Sequence, residues 1–562
     1  MSSYDDQGVT EILPPLRVDD ADRHAWDDTC DLLVAGWGAA GACTALEAHA
    51  QGLQVLIADR FQGGGASAKS GGIVYAGGGT RQQSDAGFAD TPEAMFEYLR
   101  HETQGVVGDD TLRRFCEQSV ENLQWLESHG AEYGSSMPPG GGKTSYPPDG
   151  YYLYYSGNEK VPAYAGADSP APRGHRTVGK GQSGQVLFNQ LRDACRRAGI
   201  RTRLQSSIRR LVLDGEGAVV GAELWCLPSG SRQARTHARL AAAAERWQNL
   251  APSYSDRLRA RLVCIERDYA QPITIRARCG VVLSTGGFIF NQQMMREHGA
   301  RYLHTFKVGA TGCDGSAIRL GSSVGAASAQ LERISAWRFL SPPLCWPKGM
   351  VVNGRGRRVC NEEVYGATLG VRLCEEHDGK GWLILDRNLR RQALKETLRG
   401  GYWWFQTMPA LLLMLFARKG KTIEALAGAI GADPVTLADT LARYNAAARG
   451  VGEDETGKSA DSRQALEQGP FYACDISVGS AAYPMGGLTL GGLQVDESSG
   501  VVLDQSGIPI PGLYAAGRAA VGIPSHMYIS GLSLADCVFS GRRAGRAAAA
   551  TIARPVPEKV VV

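Results

Sequence analysis

Residues 525–534 read SHMYISGLSL, and within ten positions they bring together a phenol (Tyr528), two neighbouring hydroxyls (Ser530 and Ser533) and a glycine amide (Gly531). A phenol with a pKa of about 10 is a poor base at neutral pH unless its proton is passed on, but it is a good neutral hydrogen-bond donor. The stretch therefore offers a donor and a proton relay, whose use depends on what the rest of the chain binds. A second stretch answers part of that question. DLLVAGWGAAGACTALEAHAQGLQVLIADR runs from a short apolar segment through Gly36, Gly38 and Gly41 into a helical segment, then into a second apolar run (Val55–Ala58) that ends at Asp59 and Arg60. Strand, G-x-G-x-x-G, helix and an acid at the end of the next strand is the context of a dinucleotide site. The glycines, with Ala40 between them, let backbone approach a pyrophosphate at a helix N-terminus, and Asp59 is expected to take the ribose hydroxyls.

More glycine loops follow. GGGASAKSGGI places Ser67, Ser70, Gly71 and Gly72 directly after the second strand, where an NAD domain has no evident use for them and a flavin does. CGVVLSTGGF ends a buried strand at Thr285, Gly286 and Gly287, and GLYAAGRA ends another at Gly517 and Arg518. Loops so far apart in sequence converge only if the nucleotide-binding domain is interrupted and completed by the C-terminus. FAD is thus the expected cofactor.

The remaining composition narrows the partners. With 60 Lys+Arg against 57 Asp+Glu there is no electrostatic case for nucleic acid. The 13 cysteines form no C-x-x-C pair and no run with His at metal-ligand spacing, so neither a disulfide framework nor a metal site is expected. The polar, acidic first 28 residues do not read as a signal peptide, which places the protein in the cytoplasm.

As a set these stretches, with TGCDGSAIRLG (containing Asp314), GRRVCNEEVYG, LTLGGLQVD and the terminal Gly-Leu-Ser-Leu, resemble the fumarate reductase/3-ketosteroid dehydrogenase flavoprotein superfamily over most of the chain. The resemblance implies an α/β fold: a Rossmann-like, glutathione-reductase-like FAD domain with a β-meander, built from residues 1–300 and 476–562, and an inserted α+β catalytic domain at 301–475. Members with covalent flavin carry a histidine next to the loop serine. Here Ala68 and Lys69 follow Ser67, which implies noncovalent FAD.

Fumarate reductases of the superfamily grip a substrate carboxylate with an arginine that aligns with Tyr528, and deliver a proton from another that aligns near Tyr365. Both guanidinium groups are phenols here, so a dicarboxylate is disfavoured and a neutral ketone favoured. The resemblance is strongest to the branch that forms the 4,5 double bond of 3-ketosteroids. It implies Tyr528 and the Gly531 amide as donors to the ketone, and Ser530 and Tyr365 as the proton relay, with an external electron acceptor. The alternatives are 1,2-dehydrogenation of a ketosteroid and a fumarate- or urocanate-type reductase. Ser533, ahead of Leu534, reads as the first residue of a capping box whose helix points its positive end at the flavin.

Three stretches stay ambiguous in the sequence. YPPDGYYLYYSGNEKVPAY (146–164) reads equally as a pocket lining and as a surface loop. GYWWFQTMPALLLMLFA (401–417), bounded by Arg399, Arg418 and Lys419, is too short to span a bilayer and reads as a buried core helix, with an interfacial docking patch for a lipid-like substrate as the lesser alternative. Residues 229–262 read as a peripheral helical insertion.

Overall fold

The structure, a computed structural model, describes residues 8–139, 141–142, 144–165 and 170–551. The outer limits expected for the first domain at residue 1 and the last at residue 562 lie outside the described residues. The segment Asp28–Ala35 is a strand, and its apolar residues face alternate sides. Leu32 and Val34 join a core that includes the helices Ala39–Ala50 and Leu532–Ala550. Leu33 and Ala35 join another, with Ile208, Leu211 and Leu224. Burial on both faces is why the run is uniformly apolar rather than alternating.

Strands Arg201–Leu204, Val55–Asp59, Asp28–Ala35 and Gln271–Leu283 lie side by side in parallel. The strand Pro509–Ala515 then pairs in parallel with the end of Gln271–Leu283, in register Val281 with Leu513 and Leu283 with Ala515. The C-terminal part thus completes the sheet begun by the N-terminal part. The first half of Gln271–Leu283 turns away to pair antiparallel with Val219–Cys226, which pairs antiparallel with Ser206–Leu213. These three strands are the meander, and the fold is the Rossmann-like α/β architecture expected.

The interval carries a four-stranded antiparallel sheet in the order Met350–Val352, Trp382–Leu385, Phe471–Asp475, Arg418–Gly420, with its own core around Trp346, Leu373, Leu383 and Leu413. The returning chain then adds the strand Gly486–Thr489 between Phe306–Lys307 and Ile334–Trp337 before it rejoins the large sheet. A small sheet, Ile73–Tyr75, Gly174–Arg176 and Leu153–Tyr154, closes the floor of the site.

Two expectations change. Residues 229–262 are not a peripheral addition: they form most of an antiparallel pair of helices, Arg232–Trp247 and Pro252–Tyr269, bonded into the cofactor side. Glu266 receives Arg60 at 2.8 Å, Arg209 at 3.0 Å and His237 at 2.9 Å, and Glu245 meets Lys69 at 2.8 Å. Nor is the apolar stretch 401–417 a buried core helix. Its helix, Trp404–Leu415, buries Ala410, Leu413 and Met414 but leaves Trp404, Met408 and Leu415 in solvent. Apolar composition cannot reveal which face a neighbour covers. Among the described residues no helix is long and apolar enough to cross a membrane.

Candidate active site

A cavity of ≈ 950 Å³ runs from the glycine turn at Gly36 and Gly38, past Ser206, Ser207 and the helix pair's Glu245 and Gln248, to Tyr365 and Tyr528 at its far end. At the first turn a Cβ on Gly41 would sit 2.0 Å from the Gly36 carbonyl oxygen, so glycine is required for the helix to start against the strand end. Ala39 opens that helix with its N–H donating to Ser67 Oγ at 3.0 Å, which ties the loop after the second strand to the first turn. Ser70 hydroxyl donates to the Ser67 carbonyl at 2.7 Å and accepts from the Gly72 N–H at 3.1 Å.

Several buried polar atoms of residues that line this cavity have no partner within the protein: Arg60 Nη2, Ser207 Oγ, Arg518 Nη1 and Ser533 Oγ. Buried polar groups are rarely left unpaired. With two guanidinium groups among them, these donors fit a polar molecule that carries anionic groups. The Asp59 carboxylate already accepts the N–H groups of Trp37 (2.8 Å), Phe61 (2.7 Å) and Gly63 (3.3 Å). Burial nonetheless holds its pKa above the usual carboxylate range. Asp314 is engaged as well: Thr10 and Arg60 donate to one of its oxygens and the Ser316 N–H to the other, so it positions Arg60 at the cavity wall.

At the far end Gly531, at φ +92°, turns the chain into the helix Leu532–Ala550. A Cβ there would stand 2.7 Å from the Tyr75 nitrogen, because Tyr75 N–H donates to the Gly531 carbonyl at 3.1 Å. Ser530 N–H donates to the Ser156 carbonyl at 3.2 Å, and Tyr154 hydroxyl donates to Ser530 Oγ at 2.9 Å. The loop is therefore held from both sides by short strands. Tyr528 stacks on Trp337 with centroids 5.4 Å apart, and Tyr365 meets Phe339 edge-on at 5.3 Å. Burial pushes the Tyr528 phenol up to about 12, against the pull of the Gly531 N–H beside it. Burial also drives Tyr365 well above its ordinary value; neighbouring Tyr528 and Tyr154 add to the rise, and a hydrogen bond with Ser530 opposes it. All these phenols are neutral donors at physiological pH.

Tyr365 is also the N-cap residue of the helix Gly366–Glu376, so one residue both starts a helix and lines the site. Its N–H donates to Asn158 Oδ1 at 2.6 Å, and Asn158 Nδ2 donates to Glu102 Oε1 at 2.7 Å. Ser533 does not cap. Because Gly531 takes the turn, Ser533 already lies in the first helical turn, and its hydroxyl is free toward the cavity.

The structure thus brings Tyr365, Tyr528, Ser530 and Gly531 to one end of the cavity. Along the rest it brings Gly36, Gly38, Ala40, Asp59, Arg60, Ser67, Ser70, Gly71, Thr285, Gly286, Asp314, Arg518, Ser533 and Leu534. Gly41, Gly72, Gly287 and Gly517 stand behind the wall as close-packed supports; a Cβ on Gly287, for example, would meet Thr489 Oγ1 at 2.2 Å. Tyr154, Trp337 and Phe339 were not identified from the sequence. The aromatic stretch 146–164 was the one signal for Tyr154, and of its two readings the structure realises the pocket lining at Tyr146, with Tyr154 one layer behind.

The family described as FAD binding domain matches residues 31–531. The chain is 45% identical over 533 residues to the 3-oxo-5-alpha-steroid 4-dehydrogenase of Comamonas testosteroni, covering 91% of this chain and 96% of that protein. It superposes with a TM-score of 0.78 and 29% identity on the crystal structure of 3-ketosteroid-delta4-(5alpha)-dehydrogenase from Rhodococcus jostii RHA1 in complex with 4-androstene-3,17-dione, over 96% of this chain and 100% of that one. A 3-ketosteroid delta1-dehydrogenase from Sterolibacterium denitrificans shares the fold, at a TM-score of 0.64 and 20% identity over 93% of this chain and 100% of that one. The glycine cradle, the unpaired donors along the cavity and a match across residues 31–531 agree: the chain belongs to the FAD binding domain family, and its cofactor is FAD.

Proposed function

We propose that this protein oxidises a 3-ketosteroid by forming its 4,5 double bond, with FAD held noncovalently. The observation that carries the reading is the end of the cavity: Tyr528 and the Gly531 N–H side by side, and Ser530 between Tyr154 and Tyr365, in a loop that offers no guanidinium for a carboxylate. The printed names of the relatives in Comamonas testosteroni and Rhodococcus jostii support the same substrate class. Noncovalent binding is supported by the sequence after Ser67: Ala68 is inert, and Lys69 is committed to Glu245.

When bound in the cavity, FAD would supply the acceptor for the hydride that leaves C5 of the steroid. The chain's own groups do the rest. Tyr528 hydroxyl and Gly531 N–H donate to the C3 carbonyl oxygen, which makes the C4 hydrogen acidic; one such donor contributes about 2.7–4 kcal/mol as charge develops. Ser530 Oγ receives the C4 proton as its own passes to the Tyr365 hydroxyl oxygen, and the proton that Tyr365 held leaves in turn to solvent. The C4–H and C5–H electron pairs are accounted for by the new double bond and the hydride, and two electrons later leave to an external acceptor. Trp337 and Phe339 supply flat apolar walls that exclude water. Anaerobic mixing of the holoenzyme with a 5α-reduced 3-ketosteroid tests the reading. Flavin bleaching with formation of the 4-ene-3-one is expected. Conversion of a 4-ene-3-one to the 1,4-diene, or reduction of fumarate with no response to ketosteroid, would overturn it.

A further inference from the structure

Among the described residues thirteen large hydrophobic side chains are well exposed, and five of them, Leu398, Trp404, Met408, Leu415 and Phe416, fall within one stretch of nineteen positions. Trp404, Met408 and Leu415 recur at helical spacing, so they share one face of the helix Trp404–Leu415. Singly exposed apolar residues need no explanation; a clustered set marks an interaction surface.

The opposite face of the same helix lines the cavity through Phe405, Gln406 and Pro409, and Trp404 belongs to both the cavity rim and the outer surface, with 74% of its area exposed. The helix is thus a wall one helix thick between the substrate end of the cavity and the outside.

Charge identifies the occupant. Residues 387–424 carry eight basic and two acidic side chains. Seven of the basic ones, Arg387, Arg391, Lys395, Arg399, Arg418, Lys419 and Lys421, are exposed, and among the described residues none of the seven is in an ion pair. One of the two acids, Glu396, is turned inward to the Cys345 N–H at 3.0 Å. A second copy of the chain docked symmetrically on this face would set the basic rim against itself, since a two-fold contact uses the same patch on both partners. An anionic lipid surface meets both features at once, apolar side chains in the acyl boundary and cations among the headgroups.

We propose that the helix Trp404–Leu415 and its basic flanks dock the protein on anionic phospholipid bilayers and open the cavity toward the membrane. The substrate part of this inference rests on the ketosteroid reading, because a steroid dissolves in the bilayer that the helix would touch. At 12 residues the helix lies on a membrane and does not span it.

The test is co-sedimentation of the full-length holoprotein with vesicles of phosphatidylcholine alone or mixed with phosphatidylglycerol, without steroid. Binding to the mixed vesicles is expected, weakening with salt. The pair Leu415→Ser and Phe416→Ser should lower the partition coefficient more than about tenfold. The pair Arg418→Glu and Lys419→Glu should lower it at least about 25-fold, at roughly fivefold for each cation lost. Both variants should keep their FAD and their melting temperature, and turn over cyclodextrin-carried ketosteroid like wild type while losing rate on vesicle-dissolved ketosteroid. Wild type left in the supernatant of mixed vesicles, variants that bind as wild type does, or a concentration-dependent dimer broken by the Leu415 and Phe416 substitutions without vesicle binding would each overturn the proposal. The vesicle arm needs no substrate, so an enzyme that docks but oxidises no ketosteroid refutes the proposed function and leaves the docking surface standing.

Discussion

Replacing Tyr154 by Phe removes one oxygen atom whose hydrogen bond, among the described residues, goes to Ser530 Oγ at 2.9 Å. The ring is fully buried and Phe fills the same space, so packing is preserved. In the resting site both partners are neutral, and such a bond has a net worth of about 0.5–1.5 kcal/mol. When Ser530 accepts the C4 proton while its own is leaving toward Tyr365, its oxygen is most negative at the moment of transfer, and a bond to a charged acceptor is worth roughly 1.5–3 kcal/mol. Only the difference, about 1–2 kcal/mol, lowers the barrier, which corresponds to a loss in kcat of roughly 5- to 30-fold with KM nearly unchanged. Single-turnover flavin reduction at saturating 5α-ketosteroid reads the step directly. In the Ser530→Ala background the same substitution should cost nothing more, because the bond is already gone, so a double-mutant cycle should show coupling of about 1–2 kcal/mol. Additive losses, or a raised KM with unchanged kcat, would mean that Tyr154 only packs against the loop.

Tyr528→Phe should keep FAD and fold but lose about 100-fold or more in kcat, measured by steady-state dye reduction; a loss under about tenfold would remove Tyr528 from the carbonyl. Glu102, buried against Tyr98 and Asn158, has its pKa raised to about 7, first by burial. The folded protein then holds this proton up to about pH 7 while the unfolded chain releases it near the ordinary glutamate value. Stability should therefore fall as pH rises between those values, by at most about 3 kcal/mol, and be level on either side. Melting curves of Glu102→Gln should lack this slope, and an identical slope would assign it elsewhere. Glu266, held to about 2 against burial by the Arg60 charge first, then His237 and Arg209, anchors the helix pair to the cofactor side. Glu266→Ala should destabilise by about 3–5 kcal/mol and weaken FAD binding measured by flavin fluorescence; unchanged affinity would detach Arg60 from the cofactor.

What the sequence made legible follows from how local each constraint is. The turn at Gly36, Gly38 and Gly41 is fixed by steric contacts within a few residues, so its motif reads directly. Tyr528, Ser530 and Gly531 are legible because four consecutive positions hold them. Tyr154 is not, since its contact with Ser530 depends on a two-residue strand pairing with Gly174–Arg176 far along the chain. Ser533 carries a capping pattern, yet the left-handed Gly531 shifts the helix start by two positions and frees the hydroxyl. The helix Trp404–Leu415 is uncharged and mostly apolar, and only the tertiary arrangement decides which face meets water.

The strand Pro509–Ala515 and the helix Leu532–Ala550 have a consequence for biosynthesis. Gly541 and Gly545 let that helix lie directly on the backbone of Ala39–Ala50, where a Cβ on either glycine would come within 2.7 Å of the Ala40 and Thr44 carbonyl oxygens. Both elements emerge from the ribosome last, and Arg518, Gly531 and Ser533 arrive with them. A nascent chain therefore carries the phosphate-binding turn early but exposes the end of strand Gln271–Leu283 and one face of its first helix until synthesis is nearly complete. The cavity that would hold the flavin is therefore complete only once the C-terminal strand and helix have emerged, and a chain truncated before residue 509 should be left with an unsealed sheet edge prone to self-association.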